Sequence, residues 1–261
     1  MEARRLDDYL RALSDEGRRL REVAADCPDA GVPSCPGWRV RDLVTHVGFV
    51  HRWATRYVAE GLEGPIPEPS EAEILATGPL TEDLLEWSRV GHEGLLEALR
   101  AAPADLRCWS FLPAPSPLLF WARRQAHETT IHRIDVELAA SQCDTGAVLS
   151  PVPVDLAADG IAELLEGFLR RRRRDATPED DPGAGVVIVA EDAERTWTFR
   201  LVGRVVVPVE GQLPDHVEVR GSASQLYRML WNRWIAADAT LPGSSELRRL
   251  WGERRVRVTW E

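Results

Sequence analysis

Apolar residues recur at helical spacing through the first 140 residues of this 261-residue chain and in alternation after residue 185. A pattern of period 3.6 does not settle into a sheet, nor one of period two into a helix, so the change predicts two structural units. Leu6, Leu10, Leu13 and Leu20 predict a first helix over residues 4–26, which Pro33-Ser34-Cys35-Pro36-Gly37-Trp38 then breaks. A second helix is expected over 40–62, where Val40, Leu43, Val44, Val47, Val50, Ala54 and Val58 form one stripe. Prolines punctuate 64–79 and 103–117, so the remaining helices are expected at 81–101, capped by Thr81, and at 118–141. Four amphipathic helices with two long connections predict a four-helix bundle over residues 1–148.

Ser150-Pro151-Val152-Pro153 reads as a linker and 156–173 as one more helix. Segments 186–190 and 196–201 read as a hairpin, and 205–209, 216–220 and 256–260 as further strands. A helix over 222–235 carries Leu226, Met229, Leu230 and Trp234 on one face. The expected fold class is therefore α+β in two domains, the second, over 149–261, being small with a mostly antiparallel sheet.

With 32 basic against 42 acidic residues, the net charge of −10 argues against a nucleic-acid partner, which requires a basic footprint. All the basic residues are arginine, and the absence of lysine excludes Schiff-base chemistry and the phosphate-loop lysine. The run Arg170 to Arg174 has no interleaved aromatic residues, so a solvated helix end balanced by Glu179, Asp180 and Asp181 is preferred over a polyphosphate patch. The scattered cysteines Cys27, Cys35, Cys108 and Cys143 read as reduced thiols. No signal-peptide core and no long uncharged apolar stretch appears, so a cytoplasmic protein without a membrane partner is expected, as a monomer or weak dimer.

The chemistry-bearing residues concentrate in the fourth helix. His127-Glu128 looks like the start of a zinc-protease H-E-x-x-H motif, but the next histidine is His132. Five residues place His127 and His132 about 140° apart around a helix, whereas Glu128 and His132 are only about 40° apart and face one way. His46 flanks the apolar stripe of the second helix and is the best candidate for a third ligand. His46, Glu128 and His132 would form a 2-His-1-carboxylate set, which suits catalytic zinc and equally non-haem iron. The alternative is that they are solvated or core-edge residues paired with Arg123, Arg124 or Arg133. Asp135 could orient a ligand or position a substrate, and Trp38, Trp53 and Trp121 could line a pocket above the site. His51, His92 and His216 read as structural, His92 without a partner; Cys35 has no neighbouring base in the sequence.

Two stretches together resemble the mycothiol-dependent maleylpyruvate isomerase family of DinB-like bundles. These are Pro33-Ser-Cys-Pro-Gly-Trp38-x-Val40-Arg41-Asp42-Leu43-Val-x-His46 and Trp121-x-Arg-Arg-x-Ala-His127-Glu128-x-x-x-His132-Arg133-x-Asp135. The resemblance covers the first domain and continues more weakly into the second, where it implies a sterol-carrier-like α+β fold. It implies zinc on His46, Glu128 and His132, with mycothiol as thiol cosubstrate. The thiol would add to a small electrophilic, anionic substrate, allowing bond rotation and release of a trans product, or would be transferred to it. Leu230-Trp231-Asn232-Arg233 resembles a family segment in which glycine often precedes the arginine. This makes Arg233 a candidate anion binder, the ordinary alternative being a surface arginine. Rival readings are a metal- or ligand-binding protein without turnover and a zinc hydrolase on the same bundle. The arginine-rich, lysine-free usage fits the GC-rich actinobacteria that make mycothiol.

Overall fold

In a computed structural model, residues 6–66, 73–74, 83–143, 146, 148–170, 182–254 and 256 are described. Contacts divide the chain into two compact units, Met1–Ser150 and Pro151–Glu261.

The described part of the first unit contains four long helices: α1 (Leu6–Asp26), α2 (Val40–Glu60), α3 (Leu84–Ala101) and α4 (Pro117–Ala140). Their ends follow local chemistry. The Asp42 carboxylate accepts from the Arg39 backbone N–H, closing the first turn of α2 at 2.8 Å, and Gly61 ends that helix at φ +62°. Ser116 caps α4 by accepting from the Leu119 N–H, with Pro117 at the first helical position. The expected Thr81 cap of α3 lies outside the described residues.

Helices α1, α2 and α3 are amphipathic as the spacing requires. The fourth is not. No residue of α4 is exposed, because α1 and α2 pack against it and its polar side chains are turned inward as well. Arg133 is fully buried and paired with Glu16 of α1 at 2.6 Å and Glu137 at 2.7 Å, while also donating to the Ser150 carbonyl. A desolvated arginine requires such multiple partners, so this network fixes α1 against α4. The helices also approach closely: a Cβ on Gly17 of α1 would stand 2.5 Å from the His92 ring of α3.

The second unit begins with α5 (Val154–Ala162), which runs on as a π-helical stretch at Glu163–Phe168. Of the expected arginine run only Arg170 is described, and it is exposed. Strands β1 (Ala184–Ala190), β2 (Arg195–Val202), β3 (Val205–Pro208) and β4 (His216–Gly221) form a sheet in the order β3-β2-β1-β4. It is mostly antiparallel; only β1 and β4 are parallel. Along β2, Trp197, Phe199 and Leu201 are buried alternately, the period-two signature of a sheet with one covered face.

Helix α6 (Ala223–Leu230) and a further helix, α7 (Ser244–Glu253), complete the unit. The first stops short of residue 235 because Asn232 adopts φ +67°, a left-handed conformation that ends a helix. In the expected strand over 256–260, Val256 lies outside any strand, and 257–260 are outside the described residues. No helix among the described residues is long and apolar enough to cross a membrane.

Candidate metal centre

The central helix α4 presents Glu128 and His132 one turn apart, and α2 brings His46 opposite them. His46 Nε2 lies 3.4 Å and His132 Nε2 3.1 Å from the same carboxylate oxygen, Glu128 Oε1. One ligand atom from each of the three lies within 4.8 Å of the others, the one such cluster found among the described residues. Tetrahedral zinc with bonds of about 2.0–2.1 Å separates its ligand atoms by roughly 3.3 Å, so this donor set fits a zinc-sized ion with small adjustments. Three protein ligands leave a coordination position for a further molecule.

The surrounding groups hold the three in place. Arg124, fully buried, donates to Glu128 Oε2 at 3.0 Å and leaves Oε1 facing the histidines. The expected alternative of arginine pairing is thus realised at one oxygen without consuming the other. Asp135 Oδ2 lies 2.9 Å from His132 Nδ1, and a carboxylate only accepts, so Nδ1 carries the proton. Asp135 Oδ1 accepts in turn from the hydroxyl of Ser34, in the loop before α2. The His46 ring stands 5.1 Å from that of His132 and 5.3 Å from Trp38, both edge-on.

Electrostatics without an ion reflect this crowding. Burial alone would raise the Glu128 carboxyl, but His132, His46 and Arg124 hold it well below its ordinary value. Burial would likewise lower His132, but Glu128 and Asp135 raise it to about 9. The carboxylates of Glu128 and Asp135 are thus balanced by Arg124 and a protonated His132, and an ion bound here would take the place of the His132 Nε2 proton.

The other predicted residues are placed as follows. Trp38 is 38% exposed at the rim, whereas Trp121 is completely buried. Trp121 stacks on Tyr57 at 4.8 Å, meets Trp53 at 5.2 Å and donates to the Trp109 carbonyl, so it supports an aromatic cluster and lines no open surface. His127 is buried on α4 and outside the ligand cluster. His92 does have partners: its Nε2 donates to the Leu13 carbonyl at 2.9 Å, its Nδ1 accepts from Arg21 at 3.1 Å, and its ring lies 5.2 Å from that of His51. Burial pushes both of these rings down, His92 to about 4. Arg233, in the second unit, donates to the Trp231 carbonyl at 2.7 Å, and its own carbonyl accepts from buried Arg228, which Asp238 holds at 2.7 Å.

Ser34, Arg124 and Arg228 were not singled out as functional residues from the sequence. Arg124 stands four residues before Glu128, a spacing that signals the pair; Ser34 reaches across 101 residues and has no such signal.

Residues 10–137 match the family described as the mycothiol maleylpyruvate isomerase N-terminal domain, and residues 155–254 match its C-terminal domain. No curated protein matches the chain. Two crystal structures, of the mycothiol-dependent maleylpyruvate isomerase and of a variant of it, are similar to the chain. Each has a TM-score of 0.59 at 19% identity, covering 88% of this chain and 90% of the other. At that identity the likeness establishes the fold.

Proposed function

Because the chain belongs to the mycothiol maleylpyruvate isomerase family, matched in both of its domains, we propose that it is a zinc enzyme using mycothiol as cosubstrate. Its reaction would be cis-trans isomerisation of a small electrophilic, anionic substrate or transfer of the thiol to one. The observation that carries this reading is the convergence of His46, Glu128 and His132 on one point, three protein ligands being one fewer than tetrahedral zinc takes. Zinc held there supplies Lewis acidity that favours the thiolate form of a bound thiol at neutral pH.

The chain's own residues do the rest. His46, Glu128 and His132 hold the ion, Arg124 keeps Glu128 presenting a single oxygen, and Asp135 keeps the His132 proton on Nδ1. Burial of Glu128 and Asp135 excludes water from the inner side of the site, strengthening each of these contacts. Trp38, partly exposed beside His46, is the proposed contact for mycothiol, and Arg233 the proposed contact for the substrate carboxylate. Trp121 acts by supporting the aromatic cluster. With the nucleophile borrowed from mycothiol, Cys35 has no catalytic part. We further propose that the protein works in the cytoplasm.

The test is metal analysis of the purified protein followed by turnover assays. About one zinc per chain is expected, together with mycothiol-dependent conversion of maleylpyruvate or of a thiol-reactive electrophile. His46→Ala should lose the ion while keeping its helical circular dichroism. A chain that retains iron, or a zinc form that neither binds mycothiol nor turns over any electrophile, overturns the proposal.

A further inference from the structure

The loop between α1 and α2 touches both helices that supply the ligands, and it is built to do so rigidly. Val32 N–H donates to the Trp38 carbonyl at 2.9 Å, Cys35 N–H to Val32 at 3.1 Å and Trp38 N–H to Cys35 at 3.0 Å. Gly31 and Arg39 pair as an isolated antiparallel bridge, and Gly37 takes the left-handed φ of +89° that such a tight return requires. Two side chains leave this closed loop toward the site. Ser34 donates its hydroxyl to Asp135 Oδ1 on α4, and Trp38 sets its ring edge-on to His46 on α2.

Asp135 is fully buried, and its other oxygen holds the Nδ1 proton of His132. A carboxylate orients an imidazole only as well as it is itself oriented, and the hydroxyl on Oδ1 fixes the plane in which Oδ2 meets Nδ1. Nε2 is then the nitrogen turned toward Glu128 Oε1 and His46, the one left to hold an ion once its proton is displaced.

We propose that Ser34 is a positioning residue of the metal centre. Acting through Asp135, it fixes the tautomer and aim of His132 and makes closure of the 31–39 loop and occupancy of the centre mutually dependent. The inference rests on the reading that His46, Glu128 and His132 hold zinc. Because coupling of two binding events is reciprocal, whatever loop closure adds to zinc affinity, zinc adds to loop closure.

The experiment compares full-length wild type, Ser34→Ala, Ser34→Gly and Ser34→Thr. Zinc dissociation constants are measured by chelator competition, visible spectra after cobalt substitution, and hydrogen exchange with and without zinc. Loss of the hydroxyl should weaken zinc binding about 10-fold or more, the scale of an outer partner of a metal-bound histidine, and alter the cobalt spectrum. Ser34→Thr, which keeps the hydroxyl, should restore both. Zinc should slow exchange of the Cys35 and Trp38 amides in wild type and not in Ser34→Ala. Ser34→Gly gives a second hydroxyl-free chain should the alanine variant fold poorly. Wild-type zinc affinity and cobalt spectrum in the hydroxyl-free variants would overturn the inference while leaving the metal reading intact. A wild-type protein that binds no zinc would overturn both.

Discussion

Asn232 stands at φ +67°, with its side-chain amide donating to the Val256 carbonyl at 2.8 Å. Among residues with a Cβ, asparagine enters this region most readily, because its short polar side chain bonds locally; glycine enters without cost. A glycine at position 232 would therefore take the same backbone conformation without strain. Asn232→Val should therefore cost about 1–3 kcal/mol of stability, and Asn232→Gly less, in urea unfolding followed by tryptophan fluorescence. At this scale the candidate ligands were legible before the fold was known, because angular spacing on a helix decides which side chains share a face. Ser34 was quoted in a motif, yet its role was not legible. A hydroxyl that finds its acceptor 101 residues away leaves no periodic trace. His92 escaped for the same reason, since its partners Leu13 and Arg21 belong to α1.

Between the helices, the His51–His92 contact ties bundle stability to pH. His92 titrates at about 4 in the folded chain against 6.5 unperturbed; burial is the main cause, aided by Arg21 of α1 and Arg100, and opposed by the Leu13 carbonyl and Glu93. His51 of α2 is pushed down as well, so the rings share a preference for the neutral form. Above pH 6.5 both states are neutral and stability is whole. As pH falls from 6.5 toward 4, the unfolded chain takes up a proton that the folded one refuses, and stability is lost. The loss from His92 alone should be about 1.5 kcal/mol between pH 6.5 and 5, and His92→Gln should flatten that slope in urea unfolding at the two pH values. His132, raised to about 9, acts outside this window in the metal-free chain: its contribution is full below pH 6.5 and is lost as pH rises through 9. Element existence was legible for α1, α2 and α3, which follow their apolar period, and for the four strands, which are short runs rich in valine and aromatic residues. The parallel pairing of β1 with β4 was not, because strand order is settled by packing and leaves the period-two pattern unchanged. Helix α7 went unexpected even though Leu247, Leu250 and Trp251 repeat at helical spacing after Gly243.

For the whole chain, the candidate ligands come from positions 82 residues apart, so an unfolded molecule does not bring them together. An ion that binds only the folded form stabilises it by mass action: zinc at a hundred times its dissociation constant should add about 2.7 kcal/mol, read as a higher unfolding midpoint than in chelator. The two-unit division of the contacts and the mostly antiparallel sheet agree with the change of apolar period along the sequence. What that period misrepresented is α4, which looked like an amphipathic helix and is covered on every side. On an amphipathic helix, tolerance to substitution rises and falls every three or four residues as the outward face comes round. In a saturation library of this protein, the 24 positions of α4 should show no such rhythm, and the helix that holds the candidate ligands would have almost no position free to drift.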